Sequence, residues 1–439
     1  MRPTALASLG AAAFAAVLFA ATPAAAQRKG ADAGGAGQGD FKKIDLTEPD
    51  WKGADYTLFT PKGLAPGRTY PLVFALHGNG HKSDAHVKNM ARVSTSAQPC
   101  FVVAPQYQQG YEFNNPCYPR TGELFKQILD TICAEQPIDR GRLILQGFSM
   151  GANYACGWTY GWYTKEPDAF PFCALWMNGT AVPPGSGQGG REAQKAPPIP
   201  YLLFVGEKET AVLGQINVVK SVRECYRIMH GLGCDVRYLE IPNMGHTVNE
   251  TCLQHMRECV ADLPNFAGAD APVRGLPDAG RAALTHAARG RLKDALATLE
   301  ALRADGSTLD AGARGKVASQ LTALEKWCKG YAASEPKRLA AAWSAAVYEA
   351  WLCVVADLAE HATLGKALAT AAEKLQKHRA VQAELKARDE YRAAAALEDP
   401  AAARAAFEKL ARGPLAATVY GGRAGEHLQA LSDEYGPAK

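Results

Sequence analysis

Gly147-Phe148-Ser149-Met150-Gly151 sets a serine between two glycines, each two residues away. A serine hydroxyl is a weak nucleophile until a base takes its proton, and the base in turn needs a carboxylate to hold it. The segment Asn243-Met244-Gly245-His246 offers His246 as that base, presented by a glycine-containing loop. Gly206-Glu207-Lys208-Glu209 offers the acid. Glu209 is favoured, at a glycine, two residues and then the carboxylate, and Glu207 is the alternative. Charge developing on a substrate oxygen calls for backbone donors already in place. The Met150 N–H, next after the serine, is one candidate. His77-Gly78-Asn79-Gly80 supplies the other, from Asn79 or alternatively Gly80. Together these residues could carry out acyl transfer through a covalent serine intermediate. His77, His81 and His86 lie close in sequence, but their spacing matches no metal-ligand set. Neither a metal nor a cofactor is expected.

Such residues work only if secondary structure brings them to one place. From residue 55 onward, apolar runs of strand length alternate with helical patterns. Strands are expected at 56–59, 71–78, 100–107, 142–149, 172–179, 201–206 and 236–242, with helices near 124–136, 151–163, 211–230 and 249–262. Continuous apolar runs are strands buried on both faces, so the fold class is α/β, a mostly parallel sheet covered by helices. Ligands bind such sheets beyond the C-terminal strand ends. Ser149, His246, the two glutamates and the His77–Gly80 loop all fall there. The serine sits between a strand and a helix, the setting that a nucleophile elbow requires, and the order serine, acid, histidine fits the same architecture.

"LHGNG", "QGFSMGAN", "VGEKE" and "GHTVN" together resemble the α/β-hydrolase superfamily over roughly residues 50 to 265. Within it the chain is similar to small bacterial esterases, the phospholipase/carboxylesterase group and the polyhydroxybutyrate-depolymerase-like esterases. The resemblance implies Ser149 as nucleophile, His246 as base and a carboxylate after Gly206. The family usually has aspartate there, where this chain has glutamate. Tyr107, Tyr111 and Phe113, on a loop leaving a strand end, are candidates to line a substrate pocket. The expected partner is a small or medium carboxylic ester. A serine peptidase of the same fold, or a binding protein with a vestigial hydrolase part, are the competing readings.

Composition bounds the remainder. The chain has 439 residues and a formal net charge of +4 with no basic block, so nucleic acid is not an expected partner. Residues 1–26 combine Arg2, an Ala/Leu/Val/Phe run and Ala24-Ala25-Ala26, which reads as a secretory signal peptide. Export to the periplasm or the extracellular medium is therefore expected, with no membrane span after cleavage. Residues 27–49 read as a flexible linker, 50–265 as the catalytic domain and 266–277 as a second linker. Residues 278–439 are rich in Ala, Leu, Glu, Lys and Arg and read as a helical domain, weakly repeat-like, with scope to bind a protein partner. All eleven cysteines follow the leader, and none is spaced C-x-x-C. Cys252 and Cys259 are two turns apart on one expected helix and too distant to bond each other.

Overall fold

A computed structural model describes residues 38–46, 54–65, 68–107, 118–184, 195–197, 199–209, 217–263, 276–288, 291–305, 309–341, 345–361, 364–397 and 399–432. The expected signal peptide, and Tyr111 and Phe113, lie outside them. The strands are β1 (Gly39–Asp45), β2 (Asp55–Pro61), β3 (Tyr70–Leu76), β4 (Phe101–Gln106), β5 (Ile138–Phe148), β6 (Ala174–Asn178), β7 (Tyr201–Gly206) and β8 (Val236–Ile241). They form one sheet in the order β1-β2-β4-β3-β5-β6-β7-β8. β1 and β2 are antiparallel, as are β2 and β4, and every other neighbouring pair is parallel. β3, β6 and β7 are buried along their whole length, which explains their unbroken apolar sequences.

Side chains alternate between the two sheet faces. On one face Leu72, Phe74, Leu143, Leu145, Leu175, Met177 and Leu203 pack against helices α2 (Tyr118–Glu135), α3 (Met150–Lys165) and α4 (Val218–Gly231). On the other, Val73, Ala75, Val102, Ile144, Trp176, Leu202 and Phe204 pack against α5 (Glu250–Asp262). Helix α1 (Ser83–Met90), between β3 and β4, joins this second face through Val87 and Met90. Each such buried Val, Leu or Phe stabilises the fold by about 1.5–3 kcal/mol relative to exposure.

The apolar cluster on the α5 face continues into the C-terminal helices. Leu253, Met256 and Val260 of α5 belong to the same buried cluster as Ala283 and Ala287 of α6 (Asp278–Ala288) and Leu292, Leu296 and Leu299 of α7 (Leu292–Ala304). It runs on through α8 (Ala311–Ala341), α9 (Ala345–Asp357) and α10 (Gly365–Gln376) to Val381 at the start of α11 (Arg379–Ala395). Helices α12 (Pro400–Arg412) and α13 (Val419–Ala430) build a second small core with α11 around Phe407 and Tyr420. α13 packs against β8, the last strand of the sheet order. Arg237 of β8 holds Glu426 at 2.7 Å and Arg423 holds Asp235 at 3.2 Å. An edge strand otherwise offers unpaired backbone to other chains, and a packed helix limits that access.

Two elements differ from the sequence expectation. β1 lies inside the stretch read as a flexible linker, and α1 was not expected at all. No described helix is long and apolar enough to cross a membrane. Nine cysteines whose side chains are described are free, Cys252 and Cys259 among them.

Candidate active site

Ser149 stands at the junction of β5 and α3 with φ 55° and ψ −122°, a backbone conformation that non-glycine residues rarely adopt. The flanking glycines make the turn sterically feasible. A Cβ on Gly147 would lie 2.4 Å from the Ala152 Cα, and one on Gly151 would lie 2.2 Å from the Leu76 carbonyl oxygen. The Ser149 N–H donates to the Asn178 carbonyl at 2.8 Å, and the Ser149 carbonyl accepts from the Ala152 N–H at 2.9 Å. Backbone bonds thus tie the strained residue to β6 on one side and to the first turn of α3 on the other. Met150 is the first residue of that helix, where backbone N–H groups lack intrahelical partners.

Glu209 and His246 meet across two loops. The His246 Nδ1 lies 2.6 Å from the Glu209 Oε2, and the other carboxylate oxygen accepts from the Gly206 N–H at 2.7 Å. Glu209 is fully buried while a quarter of the His246 side chain is exposed. Both carboxylate oxygens are therefore occupied, and the ring presents its opposite edge outward. The loops that carry the pair are laced together. The Lys208 N–H donates to the Met244 carbonyl at 2.9 Å and the Glu207 N–H to the Ile241 carbonyl at 3.1 Å. Gly206 permits this closeness, since a Cβ there would lie 2.3 Å from the Met244 oxygen. The Glu207 side chain faces elsewhere: its Oε2 accepts from the N–H of Asn243, a residue at φ 59°. Of the two glutamates, Glu209 is brought to His246 and Glu207 braces the turn that precedes it.

Gly179 packs directly against the His246–Glu209 pair, and no local sequence pattern singles it out. At φ 73°, a Cβ there would lie 2.8 Å from the His246 Cε1 and 3.2 Å from the Glu209 Oε2. Its place directly after the β6 run is no such pattern, since one glycine at a strand end is common. The Phe148 ring, adjacent to Ser149, lies 4.9 Å from the His246 ring.

The His77–Gly80 loop abuts the serine. A Cβ on Gly78 would come within 3.2 Å of the Ser149 Cβ. Asn79 and Gly80 are exposed, and Gly80 adopts φ 75° in a turn closed by the His81 N–H donating to the Gly78 carbonyl at 3.2 Å. Tyr107 is buried, with its hydroxyl donating to the His77 carbonyl. Beneath the elbow runs a buried polar chain. The His86 Nε2 lies 2.9 Å from the Gln146 Oε1, the Gln146 Nε2 donates to the Asn178 Oδ1 at 3.2 Å, and the Asn178 backbone carbonyl holds Ser149. Burial pushes the His86 imidazole down to about 4, against the opposing bond to Gln146.

This sheet order, with a strained serine after the fifth strand and a histidine after the eighth, defines an α/β-hydrolase fold, extended by C-terminal helices. No protein-family model matches the chain, and no curated protein does. Among solved structures it is similar to a thermostable esterase (24% identity, 46% of this chain covered, TM-score 0.34), of whose length it covers 55%. It is also similar to the CE1 ferulic acid esterase AmCE1/Fae1A from the anaerobic fungus Anaeromyces mucronatus, at 17% identity and TM-score 0.39, covering 55% of this chain and 97% of that one. Esterase PE8 is similar at 21% identity and TM-score 0.35, covering 45% of this chain and 94% of that one.

Proposed function

We propose that the protein is a serine hydrolase that cleaves small or medium carboxylic esters through an acyl-enzyme on Ser149. The observation that carries this reading is the bond from His246 to the buried Glu209, with the ring of Phe148, the neighbour of the strained Ser149, 4.9 Å from the His246 ring. With Nδ1–H committed to Glu209, the imidazole has Nε2 as its basic nitrogen. His246 takes the serine proton as Ser149 Oγ attacks the ester carbonyl. It returns that proton to the departing alcohol, leaving the acyl group on the serine. Water, deprotonated by the same imidazole, then releases the acid. Negative charge on the carbonyl oxygen is met by the Met150 N–H and the Asn79 N–H, with Gly80 as the alternative donor. Glu209 accepts from the Nδ1–H and stabilises the imidazolium. The apolar leader supports a site of action outside the cytoplasm.

The test is covalent labelling with a fluorophosphonate beside an ester panel of rising acyl length. We expect wild type to be labelled, and Ser149→Ala and His246→Ala to lose both labelling and turnover. Ester turnover unchanged in Ser149→Ala would sink the reading.

A further inference from the structure

Two consecutive peptide groups of the His77–Gly80 loop are held by their carbonyl oxygens, each by a ring. The His77 carbonyl accepts from the Tyr107 hydroxyl. The Gly78 carbonyl accepts from the Nδ1–H of the His77 imidazole at 2.9 Å, as well as from the His81 N–H. The two rings stack on each other, 4.2 Å between centroids and 10° from parallel. Tyr107 is itself wedged edge-on against Phe125 of α2 and Tyr154 of α3, at 5.5 and 5.3 Å. The far end of the loop is tied to the next residue back: the Gln106 Oε1 accepts from the Ser83 N–H at 2.8 Å.

A planar trans peptide has its N–H antiparallel to its C=O. No described peptide is cis. Holding the His77 carbonyl therefore aims the Gly78 N–H, and holding the Gly78 carbonyl aims the Asn79 N–H, away from the clamp. Donors to a developing oxyanion are effective because they are oriented before reaction begins. Loop residues that are otherwise exposed, as Asn79 and Gly80 are, would lose that orientation without something rigid behind them.

We propose that His77 and Tyr107 are positioning residues for the Asn79 donor of the oxyanion loop: the His77 ring holds the Gly78 carbonyl, whose peptide carries the Asn79 N–H, and Tyr107 holds the His77 ring and carbonyl from behind the site rather than lining its pocket. The inference rests on the serine esterase reading above. His77 fits the role as a neutral Nδ1–H tautomer. Its Nε2 is buried with no hydrogen-bond partner among the described residues, which a bare acceptor nitrogen tolerates better than an N–H would. Burial accordingly lowers its pKa, against the opposing bond to Gly78.

The experiment compares wild type, Tyr107→Phe, His77→Phe and His77→Asn on an oxygen ester and on the matching thionoester. Sulfur accepts hydrogen bonds weakly, so the oxygen-to-sulfur rate ratio reports the oxyanion donors. Tyr107→Phe keeps the ring and removes only the hydroxyl. We expect kcat on the oxygen ester to fall about tenfold to a hundredfold with KM within about twofold, less than the loss from deleting a donor outright. The thionoester rate should fall much less, so the ratio drops. His77→Phe should behave likewise. His77→Asn, whose amide can donate from nearly the same place as Nδ1, should recover most of that loss. Equal losses on both substrates, or an unchanged kcat in both phenylalanine variants, would overturn the clamp. Fluorophosphonate labelling of each sample separates the two levels. An unlabelled wild type brings down the esterase reading and the clamp with it. A labelled wild type with an unchanged rate ratio in the variants brings down only the clamp.

Discussion

At the scale of single residues, the two glutamates after Gly206 are two positions apart yet have unlike surroundings. Glu209 is buried with one oxygen on His246 and one on the Gly206 amide, while Glu207 is exposed and holds the Asn243 amide. Glu209→Gln can hold the imidazole in the wrong tautomer, so we expect kcat to fall about 10³- to 10⁴-fold with little change in KM. Glu207→Gln keeps an oxygen for Asn243 and should cost less than about tenfold in steady-state kinetics. Comparable losses in the two variants would mean that the pairing with His246 is not what matters. The serine, the histidine and the glutamate pair were legible because spacing and order carry them. The choice between the glutamates was open because both follow the same glycine. Gly179 and Tyr107 were obscure for another reason: their roles depend on what packs against them from distant chain, and no local pattern encodes that.

At the scale of elements, the elbow depends on backbone approaching backbone. Gly151→Ala would drive a Cβ to 2.2 Å from the Leu76 oxygen and 2.6 Å from the His77 oxygen. Main chain cannot yield there without moving β3 or α3. We expect a destabilisation of about 1–3 kcal/mol, seen as a lower denaturant midpoint, together with loss of fluorophosphonate labelling. Retention of both would show that the junction is looser than this spacing implies. The central strands could be read directly, since burial on both faces leaves unbroken apolar sequence. β1 could not. Gly39–Asp45 is mostly exposed, pairs with β2 alone among the described strands and carries Lys42 and Lys43, so its composition matches a tether. Its strand character comes from pairing rather than from an apolar period. Helix α1 was hidden by its length, eight residues with Ser83, His86, Val87 and Met90 buried, too few turns to set a periodicity apart from loop. Its burial of His86 reflects the polar chain under the elbow rather than any hydrophobic stripe.

At the scale of the whole molecule, the C-terminal helices share a core with the sheet, a continuity that composition could not reveal because it depends on which helix faces meet which neighbours. The junction at β8 adds charge that is costly to disturb. The Arg237 side chain is 3% exposed and reaches both oxygens of Glu426, at 3.2 and 2.7 Å. Removing one partner strands a buried charge, so Glu426→Ala should destabilise the protein by about 3–5 kcal/mol in equilibrium unfolding. A loss below about 1 kcal/mol would mean that water reaches the pair. The same junction should make stability depend on pH. The His427 Nδ1 lies 2.9 Å from the Tyr226 hydroxyl, with the His230 ring at 4.9 Å and the Phe407 ring at 4.1 Å. Burial, and then the neighbouring His230, hold the His427 imidazole down at about 3. Burial, and then Arg423, which pairs with Asp235 in this junction, also lower His230. The sign follows from linkage. Above pH 6.5 both folded and unfolded His427 are neutral and contribute no pH dependence. Below it the unfolded chain takes up a proton that the folded chain refuses, so stability falls as pH drops from about 6.5 toward 3. His86, held at about 4, adds to the fall over the upper part of that window. Urea unfolding from pH 7 to 4 should therefore show stability declining toward acid, and His427→Gln, which cannot ionise, should flatten the slope by close to one proton. An unchanged slope in that variant would mean that His427 is charged in the folded protein, and hence that α13 does not seal the β8 edge from water.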